Sequence, residues 1–156
     1  LGADVPVCLV GTPALMSGIG ETVLPLPGLP ACGILLVNPR VAVSTAAVFR
    51  ARTARFSEPR LPDGNLIADI PDAAELARFL SLYDNDLAES ACTLAPAIRP
   101  TLQAIDATPG CLLARLSGSG ATCFGLYENA GTAEAAAARI AGDHPDWWVA
   151  PGRLRG

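Results

Sequence analysis

In Leu116-Ser-Gly-Ser-Gly-Ala-Thr-Cys-Phe124, an apolar strand breaks into two glycines flanked by hydroxyl groups and then resumes at once as strand-like sequence. Two interpretations of this break stay open on local grounds. It is either a tight hairpin that needs positive φ, or a loop whose exposed amides and hydroxyls line a phosphate or a sugar. A dinucleotide-binding fingerprint is excluded, because that motif needs a third glycine and a following helix. The break therefore predicts a strand, a turn and a strand.

Helical and strand-like patterns alternate from residue 31 to the end of the chain. The predicted elements are a buried strand over 33–38, a short helix over 46–49, an amphipathic helix within 72–83, a helical face over 86–108, strands over 111–116 and 122–127, a helix over 132–141 and a strand over 147–150. Pro96 and Pro100 should kink or divide the longest helix. This order is the split β-α-β pattern of ferredoxin-like folds, so the sequence predicts an α+β protein built as a two-layer α/β sandwich.

The segment before residue 31 has a different pattern. A short apolar strand, a turn at Ser17-Gly-Ile-Gly20 and a returning strand predict a hairpin over 11–26. Pro27, Gly28 and Pro30 follow as a linker, which places a domain boundary near residue 30. Residues 1–30 are therefore expected to end one domain, and residues 31–156 to form a second one.

Helix starts are predicted from side chains that can cap them. Ser44-Thr45 should cap the short helix that follows, and Asp86 with Glu89 has the spacing of a capping box. Thr132 should cap the alanine-rich helix in the same way. On these grounds alone, each of these residues has a structural role and no catalytic one.

Composition excludes several classes of function. The 156 residues are 51% hydrophobic with a mean hydropathy of +0.37, which is enough apolar surface for a folded core. The net charge is −4 and no block of basic residues occurs, so nucleic-acid binding is not expected. The apolar runs are shorter than the ~20 residues that span a bilayer, which predicts a cytoplasmic protein with no membrane partner. Because the chain opens on Leu1 in motif-like sequence, we expect an N-terminal portion to be missing.

The five cysteines form an odd set without any Cys-x-x-Cys pair, and His144 is the single histidine. This pattern encodes neither a zinc site nor a disulfide framework, and it predicts buried, reduced thiols. All 11 basic residues are arginines. Any chemistry that needs a lysine must therefore obtain it from elsewhere.

Asp4 is the one candidate base near the N-terminal end, in Leu1-Gly-Ala-Asp-Val-Pro-Val7. A carboxylate in apolar surroundings is costly unless it is paired or used, although Asp4 taken alone is better explained as the cap of a turn or a helix end. Phe49 is expected to pack into the core by default, as an apolar helix residue usually does. Read together, the Asp4 segment and the glycine break suggest one active site assembled from distant parts of the chain.

Five motifs in the right order carry a resemblance to a known family. They are Leu1-Gly-Ala-Asp-Val-Pro-Val7, Gly18-Ile-Gly-Glu21, Pro39 with Val43-Ser-Thr-Ala-Ala-Val-Phe49, Asn85-Asp-Leu-Ala-Glu89 and the glycine break. Together they resemble the 4-diphosphocytidyl-2-C-methyl-D-erythritol kinases of the GHMP kinase superfamily. The match spans nearly the whole chain and corresponds to the C-terminal half of that family's polypeptide. Residues 1–30 would then end the N-terminal, ATP-binding domain, and residues 31–156 would be the GHMP kinase C-terminal domain.

The resemblance implies an ATP- and Mg-dependent kinase whose substrate is a methylerythritol linked to cytidine diphosphate, in non-mevalonate isoprenoid biosynthesis. Asp4 then resembles the catalytic aspartate that takes the proton of the substrate's 2-hydroxyl as it attacks the γ-phosphate. Substrate-binding roles are implied for Ile19, Thr45, Phe49 and the glycine-break residues, with Phe49 stacking on cytosine. The glycine-break residues in question are Gly118, Ser119 and Gly120. No metal ligand is implied.

Two parts of the family pattern are missing from these residues: the glycine- and serine-rich loop that binds ATP, and the lysine that partners the aspartate. We therefore expect residues 1–156 alone to bind ATP poorly and to turn over no substrate. A homoserine- or mevalonate-type kinase is the alternative within the superfamily. From other classes, the chain could be a ferredoxin-like module that binds a ligand without catalysis, or a domain whose glycines serve turn geometry alone.

Overall fold

The computed structural model describes residues 12–17, 22–57 and 67–154. The first part is a two-stranded antiparallel sheet of β1 (Ala14–Ser17) and β2 (Thr22–Pro25), with Ala14 opposite Pro25. The hairpin predicted over 11–26 is thereby confirmed in its strands. Its turn, which holds Ile19, lies outside the described residues, and so does Asp4.

The remaining elements form one sheet with its helices. In chain order they are β3 (Cys32–Asn38), α1 (Thr45–Ala51), α2 (Ala73–Leu80), α3 (Ala88–Leu94), α4 (Ile98–Asp106), β4 (Cys111–Leu116), β5 (Cys123–Tyr127), α5 (Ala130–Asp143) and β6 (Trp148–Leu154). The sheet order is β4-β5-β3-β6, and every neighbouring pair is antiparallel. Two split β-α-β units give this order, so the predicted ferredoxin-like α+β fold is confirmed.

The main core lies on one face of the sheet. Strand alternation directs Leu35 and Val37 of β3 to this face, where they meet Ile98 and Ile105 of α4 and Ile140 of α5. All five side chains are buried. Burial of side chains of this size supplies roughly 1.5–3 kcal/mol each, which makes this layer the main source of stability.

A second, smaller cluster covers the other face. Cys32 of β3 and Leu126 of β5 point to that side and pack against Ala73 and Leu76 of α2. The predicted two-layer sandwich therefore carries one additional helix on its outer face. The amphipathic pattern of α2, whose exposed side includes Arg78, follows from this position.

Helix starts agree only in part with the predictions. Ser44 caps α1 as predicted, since its hydroxyl accepts the N–H of Ala47 at 3.4 Å. For α5 the prediction of Thr132 is wrong: the cap is Asn129, whose side-chain oxygen accepts the N–H of Thr132 at 3.0 Å. The cap sits three residues before the N–H that it binds, so the threonine marks the donor position rather than the cap.

The predicted capping box of Asp86 and Glu89 is also wrong. The residue at the N-cap of α3 is Leu87, and no side chain caps it. Glu89 instead pairs with Arg99 at 2.6 Å, and Asp86 binds Ser57, 29 positions earlier in the sequence.

The predicted division of the long helix is confirmed. Pro96 lies between α3 and α4, and Pro100 falls in the first turn of α4, where its missing N–H costs little.

Local sequence features suit two places in the sheet, namely the contact of β3 with α5 and the edge strand β6. Gly33 lets the start of α5 approach β3, since a Cβ there would lie 2.2 Å from the carbonyl oxygen of Asn129. The last strand is longer than predicted and passes through Pro151 and Gly152, which an edge strand tolerates. Cys32, Cys92 and Cys123 are buried free thiols, as predicted, whereas the free thiol of Cys111 is only partly buried. In the part of the chain described, none of the helices has the length and apolar character needed to span a membrane.

Candidate functional site at the glycine turn

Residues Ser117–Thr122, called the glycine turn below, connect β4 to β5. The N–H of Ser117 donates to the carbonyl of Thr122, and the N–H of Gly120 donates to the carbonyl of Ser117, both at 2.9 Å. Gly118 and Gly120 have φ of 53° and 87°, the left-handed region that favours glycine. The turn geometry predicted from the two glycines is thus present.

The two glycines have different surroundings. A Cβ on Gly120 would lie 3.0 Å from a methyl of Leu116 and 3.1 Å from one of Ile98, so this residue faces the core. A Cβ on Gly118 would meet nothing within 4 Å. Gly118 therefore forms the open side of the turn, where bare backbone can meet a ligand.

Two side chains from separate elements hold the glycine turn. The hydroxyls of Thr45 at the start of α1 and of Ser119 lie 2.8 Å apart. Asn38 at the end of β3 donates from Nδ2 to Oγ1 of Thr122 at 2.9 Å. The turn is therefore linked to α1 and β3 as well as to its own two strands. Of the predicted site residues, the fold thus brings Thr45 together with Gly118, Ser119 and Gly120.

Asn85 is a site residue that sequence reasoning missed. Its Nδ2 donates to the carbonyl oxygens of Leu116 at 3.1 Å and Gly118 at 2.8 Å, and its Oδ1 accepts the N–H of Leu87 at 3.0 Å. The sequence pattern predicts only a helix start for residues 85–89. The Asn-Asp pair before Leu87 was a usable signal, because Asn side chains bind backbone groups two residues on and leave their N–H₂ free for another partner.

Phe49 is not a core residue, contrary to the default expectation. The buried residue of α1 is Val48, and Phe49 is 49% exposed beside Phe56, which is 61% exposed. Their ring centroids lie 6.5 Å apart with an interplanar angle of 50°, a direct aromatic contact. The ring of Phe49 is therefore accessible at the surface of α1.

The glycine turn offers hydrogen-bonding groups to a ligand. The N–H groups of Gly118 and Ser119 have no acceptor among the described residues, and the hydroxyls of Ser119 and Thr45 lie beside them. Exposed amides and hydroxyls of this kind suit phosphate oxygens. Within residues 12–17, 22–57 and 67–154, no three His, Cys, Asp or Glu side chains cluster as metal ligands.

The electrostatics nearby are set by Asp86. Its carboxylate accepts hydrogen bonds from the hydroxyl of Ser57 at 2.6 Å and the N–H of Ser57 at 2.9 Å. These bonds favour the ionised form and hold the pKa of Asp86 below its ordinary value. Asp86 therefore stays charged at neutral pH and cannot serve as a general acid there.

The family is identified by the C-terminal part of the chain. Residues 66–145 match the family described as "GHMP kinases C terminal". This match covers more than half of the 156 residues, and it includes α2 to α5 with the glycine turn. The chain therefore belongs to the GHMP kinase family and contains its C-terminal domain.

Several relatives of this chain carry a more specific name. The protein named 4-diphosphocytidyl-2-C-methyl-D-erythritol kinase of Paramagnetospirillum magneticum is 50% identical over 154 residues, which cover 99% of this chain and 53% of the relative. That of Paracoccus denitrificans is 51% identical over 154 residues, covering 99% and 55%. The chain spans about half the length of the curated relatives it matches.

Solved structures agree with the fold. A crystal structure of 4-(cytidine 5'-diphospho)-2C-methyl-D-erythritol kinase superposes with a TM-score of 0.75 at 29% identity, covering 99% of this chain and 55% of the other. A homoserine kinase from Cytophaga hutchinsonii superposes with a TM-score of 0.68 at 20% identity, covering 97% and 50%. The second likeness shows the shared fold alone.

Proposed function

We propose that this chain is the C-terminal part of an ATP- and Mg-dependent kinase that phosphorylates the 2-hydroxyl of 4-diphosphocytidyl-2-C-methyl-D-erythritol in non-mevalonate isoprenoid biosynthesis. One observation carries the proposal. Thr45 and Ser119 belong to separate motifs for which the family resemblance implies substrate binding, and their hydroxyl groups are hydrogen-bonded to each other at 2.8 Å. The near-50% identity to kinases of that name along almost the whole chain supports the cytidyl substrate over homoserine or mevalonate.

In the proposed reaction, the 2-hydroxyl oxygen attacks the γ-phosphorus of ATP, its proton passes to the carboxylate of Asp4, and ADP leaves. The glycine turn supplies N–H and hydroxyl donors to the transferring phosphoryl group. Thr45 and Ile19 position the substrate, and Phe49 stacks on its cytosine. Mg²⁺ bound with ATP would neutralise phosphate charge. Because the substrate is a charged nucleotide conjugate, the reaction belongs in the cytoplasm.

We further propose that catalysis needs polypeptide beyond residues 1–156. The sequence contains no lysine to compensate the phosphate charge, and the relatives are about twice as long as the matched region. In the same proposal, residues 1–30 belong to the ATP-binding domain and residues 31–156 to the C-terminal domain. A preparation of residues 1–156 with full kinase activity would disprove this part.

The decisive test uses the complete protein and ATP that carries a radiolabel in its γ-phosphate. Three acceptors are compared, namely 4-diphosphocytidyl-2-C-methyl-D-erythritol, homoserine and mevalonate. We expect label transfer to the first acceptor alone. Asp4→Asn should abolish transfer while CDP affinity stays unchanged, because a general base is lost and the binding surface is kept. Transfer to homoserine or mevalonate would establish the alternative kinase. Ligand binding without any transfer would establish a binding module.

A further inference from the structure

The segment that follows α1, residues Arg52–Ser57, presents a second aromatic ring beside Phe49. Phe56 comes seven residues after Phe49, in a stretch without helix or strand. The two exposed rings are in contact and form one apolar patch, and exposed apolar patches are candidate ligand surfaces. Two residues, Arg52 and Asp86, hold Phe56 in this position.

Arg52 forms the first restraint. Its guanidinium carbon lies 3.4 Å from the ring centroid of Phe56, a cation–π stack. Its Nη2 donates to the carbonyl of Ala54 at 3.0 Å, and its Nε donates to the carbonyl of Asp86 at 3.3 Å. Arg52 thereby covers one face of the Phe56 ring and ties that ring to the backbone of Asp86. Asp86 directly follows Asn85, whose side chain holds the glycine turn.

Asp86 forms the second restraint, at the other end of the segment. Its carboxylate accepts both the N–H and the hydroxyl of Ser57, at 2.9 and 2.6 Å. The backbone carbonyl of Asp86 binds Arg52 at the same time. Residues 52 and 57 are thus tied to one residue, so that the segment between them forms a closed loop carrying Phe56.

We propose that Phe56 is a second base-contacting residue, and that Arg52 and Asp86 are positioning residues that hold it beside Phe49. This inference rests on the proposed function and concerns the cytosine end of its substrate. With centroids 6.5 Å apart and planes tilted by 50°, the rings touch each other and leave no parallel slot between them. A pyrimidine stacks on one ring and contacts the other with its edge.

The position of this surface agrees with a ligand that reaches the glycine turn. Thr45 and Phe49 are four residues apart on α1, and side chains at that spacing lie on one face of a helix. Thr45 is bonded to Ser119. A molecule with its base on the aromatic pair therefore extends along α1 toward the turn, which is the direction that a cytidine diphosphate conjugate needs.

The first test measures the ring itself, in the complete protein. Phe56→Leu keeps an apolar side chain and removes the aromatic face, whereas Phe56→Tyr keeps the face. We expect Phe56→Leu to raise KM for the cytidyl substrate and Kd for CDP by about tenfold, with kcat and KM for ATP within about twofold of wild type. Phe56→Tyr should remain near wild type in all four quantities. An unchanged CDP affinity in Phe56→Leu would overturn the inference.

The second test measures positioning. Asp86→Ala should raise KM for the cytidyl substrate by about fivefold, and in a Phe56→Leu background it should raise it no further, because Asp86 acts through that ring. Asp84→Ala removes the same charge two residues away and should leave KM unchanged. Faster amide exchange over residues 52–57 in Asp86→Ala would be expected as well. Independent, multiplying effects of the two substitutions would refute the positioning role.

The outcomes separate this inference from the proposed function. If the wild-type complete protein neither binds CDP nor phosphorylates the cytidyl substrate, the proposed function fails and this inference fails with it. If the wild type does both, and Phe56→Leu matches it, only the inference about Phe56 is wrong.

Discussion

The hydroxyl groups of Thr45 and Ser119 lie 2.8 Å apart, although 74 positions separate these residues in the sequence. A hydroxyl has a single proton, so one of the two residues donates to the other and the acceptor keeps its own proton for a further partner. The pair therefore links α1 to the glycine turn and still presents one donor to a ligand.

This pair predicts coupled effects on catalysis in the complete protein. Thr45→Val and Ser119→Ala should each lower kcat/KM by about tenfold, roughly 1.4 kcal/mol, because each breaks the hydrogen bond that orients the remaining hydroxyl toward the substrate. The double variant should lose less than the product of the two, since the first change already breaks their shared bond. Steady-state kinetics on the three variants measures the coupling. Ser81→Ala, at an exposed serine that directly follows α2 near the other face of the sheet, is the control and should have no effect.

Asn85 predicts a change in stability. Asn85→Ala removes donors from two carbonyl oxygens and an acceptor from Leu87, and it should lower the free energy of unfolding by about 1–3 kcal/mol. Asn85→Asp should cost more at pH 7, because it directs a carboxylate at the same carbonyl oxygens. That environment raises the pKa of the new carboxyl group, so part of the loss should return near pH 4, where the acid can donate. Urea unfolding at both pH values checks this, and equal losses for the two variants at pH 7 would contradict it.

The sequence predicted the parts of the fold that depend on local pattern. Alternation in β3, the helical spacing of α2 and the position of Pro96 each act within one element, so the element order and the ferredoxin-like arrangement followed correctly. Ser44 as the cap of α1 was correct for the same reason. These features need no knowledge of what packs against them.

The errors fall where a distant partner decides the role of a side chain. Asp86 has the residue type and spacing of a cap, but Ser57, 29 positions away, binds its carboxylate instead. Asn85 binds Gly118 across 33 positions, and no local pattern contains that contact. Phe49 was assigned to the core because it is apolar, yet its neighbour Val48 fills that position. Asp4 and Ile19 lie outside the described residues, so their roles stay predictions.

The two glycines of the turn predict different tolerance to substitution. Gly118→Ala should cost about 1–2 kcal/mol, the strain of a Cβ at positive φ, because the space around it is open. Gly120→Ala should cost clearly more, since its Cβ would also press on Leu116 and Ile98. Gly118→Asn should recover part of the loss, because Asn accepts the left-handed region more readily. Thermal melts of the three variants test the order, and a Gly118→Ala protein less stable than Gly120→Ala would contradict it.

The buried hydrogen bond between Tyr127 and Thr108 has a defined direction. Thr108 donates its one hydroxyl proton to the carbonyl of Ile105 at 2.6 Å, so the phenol of Tyr127, 2.7 Å away, must be the donor to Thr108. Tyr127→Phe should therefore lower the free energy of unfolding by about 1 kcal/mol. The loss should shrink in a Thr108→Val background, where no hydroxyl remains to accept. Chemical unfolding of the single and double variants measures this, and an undiminished loss in the Thr108→Val background would assign the effect to packing.

Titration of the Cys123 thiol should make the free energy of unfolding depend on pH above pH 9. Burial raises the pKa of its thiol from 9.0 to about 12. Below pH 9 the thiol is protonated in both the folded and the unfolded chain, so stability there does not depend on its titration. Between pH 9 and 12 the unfolded chain loses the proton while the folded chain keeps it, so stability falls as pH rises, by up to about 1.4 kcal/mol per pH unit. Cys123→Ala removes this slope although it lowers stability at neutral pH by leaving a small cavity. Urea unfolding of both proteins from pH 8 to 11 should give curves that approach each other above pH 9, and parallel curves would show that the thiolate forms in the folded protein.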